Sequence, residues 1–300
     1  MYSPDQLTKY LTHISFPVGE HAELSLSYLT ELQKRHRAKV PFENLSLHYS
    51  KTHLLSLDPQ DIYKKIVDRN MGGYCMEQNT FFGTVLQSLG FTLFFTGGRV
   101  SDAAAGLPGA GYTGWSHMVN IVTIDRQRYL VDVGFGADGP THPLPLVHRH
   151  ISRGISTQFL KLEYEKLQQH SDPSQRVWIY SHRASQDTPW TETYSFVEIE
   201  FFLTDYEVMN LSTMTSRQSF FTQVVLCVKT LLDGHGDTEG VLILFQNEVK
   251  ARIGGEVSVM EKLQSEEQRI KALEKWFGIL LTEEEKKGIR GLVTELKSKS

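Results

Sequence analysis

Residues 70–79 read NMGGYCMEQN, and the architecture of the chain can be worked outward from them. Gly72 and Gly73 interrupt the chain directly before Cys75, and a helical pattern runs from Cys75 towards Leu89, with Gly90 in the C-cap role. The glycines admit two readings. They form a plain turn and Cys75 is a small buried apolar residue, or they bend the chain so that Cys75 opens a helix, where backbone N–H groups and the helix dipole favour a thiolate.

Upstream of this point the pattern is helical. Ser3-Pro4-Asp5-Gln6 has an N-cap serine, a proline at the first helical position and a glutamine placed to close a capping box. Residues 22–36 put Leu24, Tyr28, Leu29 and Leu32 on one side at helical spacing. Asp58-Pro59-Gln60-Asp61 repeats the start, and Ile62, Ile66 and Val67 continue that helix. From Phe91 the period becomes strand-like. FTLFFTGGRV (91–100), HMVNIVTI (117–124), RYLVDVGF (128–135), QFLKLEYEKL (158–167), RVWIYSH (176–182) and YSFVEIEF (194–201) are short, rich in β-branched and aromatic residues and separated by turn residues. That is the pattern of an antiparallel sheet or barrel. A loop at 101–115 interrupts it. After a helical stretch near 205–211, strands return at 221–232 and 240–245, and capped helices are predicted from Ser265 and from Thr282. The chain thus reads as α+β: a helical part, a β part and a mixed α/β part.

Composition narrows the function. A chain of 300 residues suggests about two domains. With 40% hydrophobic and 11% aromatic residues it can build real cores. The net charge of -4 comes with no basic run, which argues against nucleic acid as a partner. No apolar stretch approaches the ~20 residues needed to span a bilayer, the N-terminus is no secretion signal, and two cysteines make no disulfide framework. A cytoplasmic protein is expected, so the sequons at Asn44 and Asn210 carry no weight.

Chemistry concentrates at few positions. Cys227 lies in the apolar run QVVLCVK and reads as core, in contrast to Cys75. A cysteine nucleophile needs a base, and the base needs an orienting group. His117 opens a strand and shares a face with Val119 and Ile121, so it points inward, although a satisfied core histidine would do the same. Asp132 places a carboxylate in the middle of the apolar YLVDVGFG, which is costly without a partner. A tight hairpin about Arg126 would set Asp132 opposite Asn120 or Ile121. His117 would then lie on the order of 10–13 Å further along, at ~3.3 Å per residue. Bringing the two together requires twist, a bulge or divergence of the strands. Gly134-Phe135-Gly136-Ala137-Asp138-Gly139 fits a dinucleotide fingerprint, but the proline-rich PTHPLPL that follows cannot supply its helix. No Cys/His cluster has metal-ligand spacing.

Five blocks now stand in order: PFENLSLH (41–48), GGYCMEQN (72–79), SHMVNI (116–121), VDVGFG (131–136) and DYEVMNLSTMTSRQSFF (205–221). Together they resemble the arylamine N-acetyltransferases, over about residues 1 to 250, in the manner of a eukaryotic microbial member. The resemblance implies a helical bundle at 1–92 carrying the nucleophile, a central antiparallel β-barrel at 93–212 carrying His and Asp, and a C-terminal α/β lid at 213–300, around a cysteine-protease- or transglutaminase-like core. It carries the nucleophile onto Cys75, the base onto His117 and the orienting carboxylate onto Asp132. It places Val100, Phe135 and Ser116 against the amine, and Thr113, Gly114 and Ser219 against coenzyme A. It implies acetyl-CoA or another acyl-CoA as co-substrate, no metal, and small aromatic amines and hydrazines as acceptors. The chain departs from the pattern in two places. Relatives carry an arginine before the glycine pair, matched to the glutamate at Glu43, where this chain has Met71, and the stretch 212–219 lacks a proline common in relatives. Two competing readings keep the same three residue types: a cysteine hydrolase or transglutaminase-like enzyme, and a catalytically silent binding relative.

Overall fold

Ser3 caps the first helix, α1 (Pro4–His13), with the reciprocal Ser3–Gln6 bonds of a capping box. Ser25 caps α2 (Leu26–Lys39) by accepting from Tyr28 N, so Leu24 falls outside the helix and is exposed. The chain continues through β1 (Phe42–Glu43), α3 (Ser46–Tyr49) and α4 (Pro59–Tyr63), which runs into a π-helical turn at Lys64–Asp68. Helix α5 spans Cys75–Leu89 and ends on Gly90 at φ 102, a left-handed cap that glycine adopts without strain. This computed structural model describes residues 1–17, 23–105, 107, 109 and 111–297. Residue 22, where the α2 pattern was read to begin, and residues 106, 108 and 110 of the 101–115 loop lie outside the described residues.

Every residue of α5 from Cys75 to Leu86 is buried. A helix covered on all sides has no polar face to spare, and here Gln78, Asn79 and Thr80 turn their polar groups to specific partners, while Phe81, Phe82 and Val85 join α1 and α2 in the first core. Burying each of the two phenylalanines stabilises the fold by about 1.5–3 kcal/mol.

The β part is one antiparallel sheet of eight strands: β2 (Thr92–Val100), β3 (His117–Ile124), β4 (Gln127–Val131), β5 (Leu144–Pro145), β6 (His150–Arg153), β7 (Phe159–Glu165), β8 (Val177–Arg183) and β9 (Thr191–Phe196). Their order is β5-β4-β3-β2-β9-β8-β7-β6, and the sheet curls almost into a closed barrel around Val119, Ile121, Leu160, Leu162, Tyr180 and Phe196. Next come α6 (Leu203–Thr215), α7 (Phe220–Gln223), β10 (Leu226–Leu232), β11 (Thr238–Phe245), β12 (Glu248–Ile253), β13 (Glu256–Lys262) and α8 (Glu266–Ala272). Strands β10–β13 form a second sheet, completed by β1 from the N-terminal part.

Two expected elements differ. Residues 220–223 form α7 where the pattern suggested strand; the strand starts only at Leu226, whose N–H is taken by Asn44 Oδ1. The expected last helix is no more than a 3₁₀ turn at Glu285–Lys287. Its capping bonds between Thr282 and Glu285 do form. Two glycines end it, Gly288 pressed so closely on Tyr49 O that no Cβ would fit and Gly291 at φ 81.

Candidate active site

The turn before Cys75 is built from contacts that only glycine allows. A Cβ on Gly72 would lie 1.7 Å from Pro41 O, and one on Gly73 2.7 Å from Glu77 Cβ. The freed space lets β1 run beside the turn, with Glu43 N donating to Gly73 O at 3.0 Å. Two buried carboxylates then hold the turn. Glu43 accepts from Gly72 N at 3.1 Å and from Leu45 N at 2.5 Å, and Glu77 accepts from Tyr74 N at 3.1 Å. Lys65, from the π-helical turn, answers both: its Nζ is 2.8 Å from Glu77 and 3.3 Å from Glu43. Cys75 is therefore the first residue of α5, only 3% exposed.

His117 and Asp132 do meet. Asp125 and Arg126, at φ 49 and 66, form the two-residue turn of the β3–β4 hairpin. Asn120 pairs with Val131, so Asp132 lies one or two positions nearer His117 than a place opposite Asn120 or Ile121 would put it. The ladder ends at Val131, and Asp132 leaves the sheet and bends towards the start of β3. Its Oδ2 lies 2.8 Å from His117 Nε2. Divergence at the strand end supplies the approach that a straight hairpin denies.

The carboxylate is oriented by other groups too. Asn79, one helical turn after Cys75, donates to Asp132 Oδ1 at 2.8 Å and to Met118 O at 2.7 Å, while Gly134 N donates to Asp132 Oδ1 at 2.7 Å. Burial alone would raise Asp132, but His117, Asn79 and the Gly134 N–H hold it below the usual carboxylate range. For His117 burial opposes the charged form, yet the adjoining carboxylate and the Cys75 thiol outweigh it and push the imidazole up to about 9. With Nε2 held by Asp132, the free ring nitrogen is Nδ1. The Cys75 Sγ lies 3.7 Å from Ser116 O, the residue immediately before His117.

These groups open on a cavity of about 470 Å³. Val100, Phe135, Ser116, Thr113 and Ser219 line it, with Thr113 Oγ1 2.8 Å from Ser116 Oγ. Gly114 is exposed, faces open space and does not line it. Phe135 packs edge-on against the His117 ring, centroids 5.1 Å apart. Gly134 is pressed on Cys75: a Cβ there would lie 2.7 Å from Cys75 Cα. The glycine-rich GFGADG becomes a 3₁₀ turn at Gly136–Asp138 rather than a phosphate loop.

Several contributors escaped the sequence reading. Gln33, His36 and Arg37, at i, i+3 and i+4 on α2, are buried polar groups; His36 bonds Tyr10 and Gln78 within the first core, and the other two hold the segment that carries Asp132 and Gly136. Gln33 donates to Asp132 O and Pro140 O, both at 3.2 Å, and Arg37 to Gly136 O and Gly139 O, both at 3.1 Å, and to Pro140 O. Their shared helical face was a readable signal. Asn79 stood four residues after Cys75 and carried one too. Lys65 carried none.

The sequence profile of the N-acetyltransferase family matches residues 25–286. The chain belongs to the arylamine N-acetyltransferase family. Within that family it is similar to the N-malonyltransferase FDB2 of Fusarium pseudograminearum, at 37% identity over 96% of this chain and 92% of that protein. Arylamine N-acetyltransferase 1 of Homo sapiens is 29% identical over 75% of this chain and 78% of its own. Among solved structures, the arylamine N-acetyltransferase of Mycobacterium marinum in complex with CoA superposes with a TM-score of 0.76 at 25% identity, covering 91% of this chain and 92% of that one. The Mycobacterium abscessus arylamine N-acetyltransferase has the same fold, with a TM-score of 0.80 at 24% identity over 95% and 93% of the two chains. The protein is thus an acyl-CoA-dependent acyltransferase of the arylamine N-acetyltransferase family. In this member Met71 is buried in the C-terminal core with Cys227 and Leu244, and the partner of Glu43 is Lys65.

Proposed function

We propose that this protein transfers a short acyl group from acyl-CoA to the nitrogen of an aromatic amine or hydrazine, through an acyl group held on Cys75. The observation that carries the reading is the His117–Asp132 pair, buried at 2.8 Å beside a cysteine that opens a helix on a substrate-sized cavity.

In this reading the Sγ proton rests on His117, and the Cys75 thiolate paired with that imidazolium attacks the thioester carbonyl. The carbon–sulfur bond to coenzyme A breaks, and His117 gives its proton to the departing thiolate. The amine nitrogen then attacks the acyl-cysteine, the second carbon–sulfur bond breaks, and His117 moves the amine proton to Cys75. Asp132 holds the ring and balances the imidazolium. The helix N-terminus favours sulfur anion at both stages. Ser212, Thr213, Ser216 and Ser219 give the cavity lining a hydroxyl-rich portion suited to the donor, while Val100, Ala104, Ala105 and Phe135 give it an apolar portion suited to an aromatic ring. The likeness to an N-malonyltransferase supports malonyl-CoA as donor, and the likeness to arylamine N-acetyltransferases supports acetyl-CoA.

Intact-protein mass spectrometry after brief exposure to each donor tests this. One acyl adduct on the wild type, absent from Cys75→Ala and discharged by aniline, is expected, and the donor that loads faster is the preferred one. An adduct that only water discharges would move the protein to the hydrolases. No adduct from either donor would leave it a binding relative.

A further inference from the structure

Arg37 is buried, yet every acceptor of its guanidinium is a backbone carbonyl: Gly136 O, Gly139 O and Pro140 O, in the segment that follows Phe135. No carboxylate pairs with it among the described residues, and Asp138, in the same turn, is taken by Arg252 from the second sheet at 2.8 Å. A buried charge is costly without an opposite one, and an opposite charge lies close by. Gln33, one turn earlier on α2, shares Pro140 O with Arg37 and also donates to Asp132 O, both at 3.2 Å. Burial disfavours the charge on Arg37, and the groups that oppose that effect are Tyr180, Asp132, Tyr194 and Asp138. His36 and His142 also feel the guanidinium. Burial pushes both phenols well above their usual range and holds His36 to about 3 and His142 to about 4, so none of these four is charged near neutral pH.

In the attacking state Cys75 is a thiolate, His117 an imidazolium and Asp132 a carboxylate, which leaves one net negative charge in a buried site. Lys65 is already engaged by Glu43 and Glu77, and Arg252 by Asp138. Resting on the acyl-transfer reading above, we propose that Arg37 is a positioning residue that acts by charge: it supplies the positive charge that lets Cys75 lose its proton while Asp132 stays ionised. Its influence passes through Asp132 and through the segment from Gly134 to Gly136. Gly134 is pressed on Cys75, and Arg37 holds Gly136 O at 3.1 Å. A unit charge several ångströms away in a protein interior shifts a proton equilibrium by about one pH unit.

The test is the rate at which iodoacetamide, an uncharged reagent, alkylates Cys75 in the full-length protein as a function of pH, over the range in which it stays folded. Wild type, Arg37→Gln and Arg37→Lys are compared. Both variants lose the fork onto three carbonyls and should melt below the wild type, but only Arg37→Gln loses the charge. The midpoint of the alkylation profile is expected to rise by about one pH unit in Arg37→Gln and to stay at the wild-type value in Arg37→Lys. A merely structural role would lower the melting temperature or the rates in both variants and move neither midpoint. If Arg37→Gln does not fold, Arg37→Met takes its place. An unmoved midpoint in the uncharged variant would overturn the proposal, as would an equal rise in Arg37→Lys. Acyl loading of the wild type separates this proposal from the reading it rests on. Midpoints that move in a protein that takes no acyl group from either donor would remove acyl transfer and leave the charge assignment standing. Unmoved midpoints in a protein that loads normally would remove the charge assignment alone.

Discussion

Lys65 Nζ lies 2.8 Å from Glu77 Oε1, and through that contact a π-helical turn holds the first turn of the helix that begins at Cys75. The same amine reaches Glu43, so one cation serves two buried carboxylates. Burial disfavours the charged amine, yet Glu43 and Glu77 raise Lys65 overall. Burial and the neighbouring Glu43 outweigh Lys65 at Glu77, which is raised as well. The cluster is short of positive charge, so removing what it has should be severe. Lys65→Met is expected to destabilise the protein by about 3–5 kcal/mol, the usual loss when one partner of a buried pair goes, and to slow acyl loading of Cys75. Lys65→Arg should recover most of both. Urea unfolding and the rate of adduct formation measure them; a Lys65→Met protein as stable as wild type would contradict the assignment.

Gly134 touches the backbone of Cys75. In Gly134→Ala the new methyl would meet Cys75 Cα at 2.7 Å, Asn79 Nδ2 at 2.8 Å and Cys75 O at 2.9 Å, and two of these are backbone atoms with nowhere to go. Overpacking of this kind costs about 1–3 kcal/mol, and the displacement of Cys75 should cut the acylation rate at least tenfold. Gly114→Ala, with open space before it, should melt like the wild type. Similar acylation rates in Gly134→Ala and the wild type would show that the helix start tolerates movement.

The His117–Asp132 pair makes stability depend on pH in a stated direction. His117 is raised to about 9 when folded, against about 6.5 when unfolded. Its contribution is fully present below about pH 6.5 and is lost as pH rises towards 9. The wild type should therefore lose thermal stability relative to His117→Gln across that interval, by a few degrees. Melting curves of both proteins at pH 6, 7.5 and 9 give the answer, and a difference that does not change with pH would rule out the charged pair.

The two cysteines should separate under alkylation. Cys227 is fully buried in β10 opposite Glu43, and burial pushes its thiol well above the usual range. Cys75 opens on the cavity. Iodoacetamide should label Cys75 at least tenfold faster in the folded protein, with peptide mapping as the readout. Equal rates would deny Cys75 its special setting.

What the sequence determined by itself was local. The glycine pair and the Gly90 cap bound α5 at the expected residues, because a left-handed cap and a crowded turn each demand glycine wherever they occur. The capping box at Ser3 and the alternating strands of the barrel were legible for the same reason: their signals lie within a few residues of one another. Even the five blocks that named the family are short local strings. Tertiary structure decided the rest. Asp132 reaches His117 only because β4 ends at Val131 and the chain swings away from the ladder, which a period of two cannot express. Lys65 meets Glu43 and Glu77 across three separate elements, and nothing in its own neighbourhood marks it. Thr282–Glu285 carried a correct helix start that came to nothing, because Gly288 had to fit against Tyr49 O. Packing between distant segments overrides local preference in each case, since a clash or an unpartnered buried charge costs more than one turn of helix contributes.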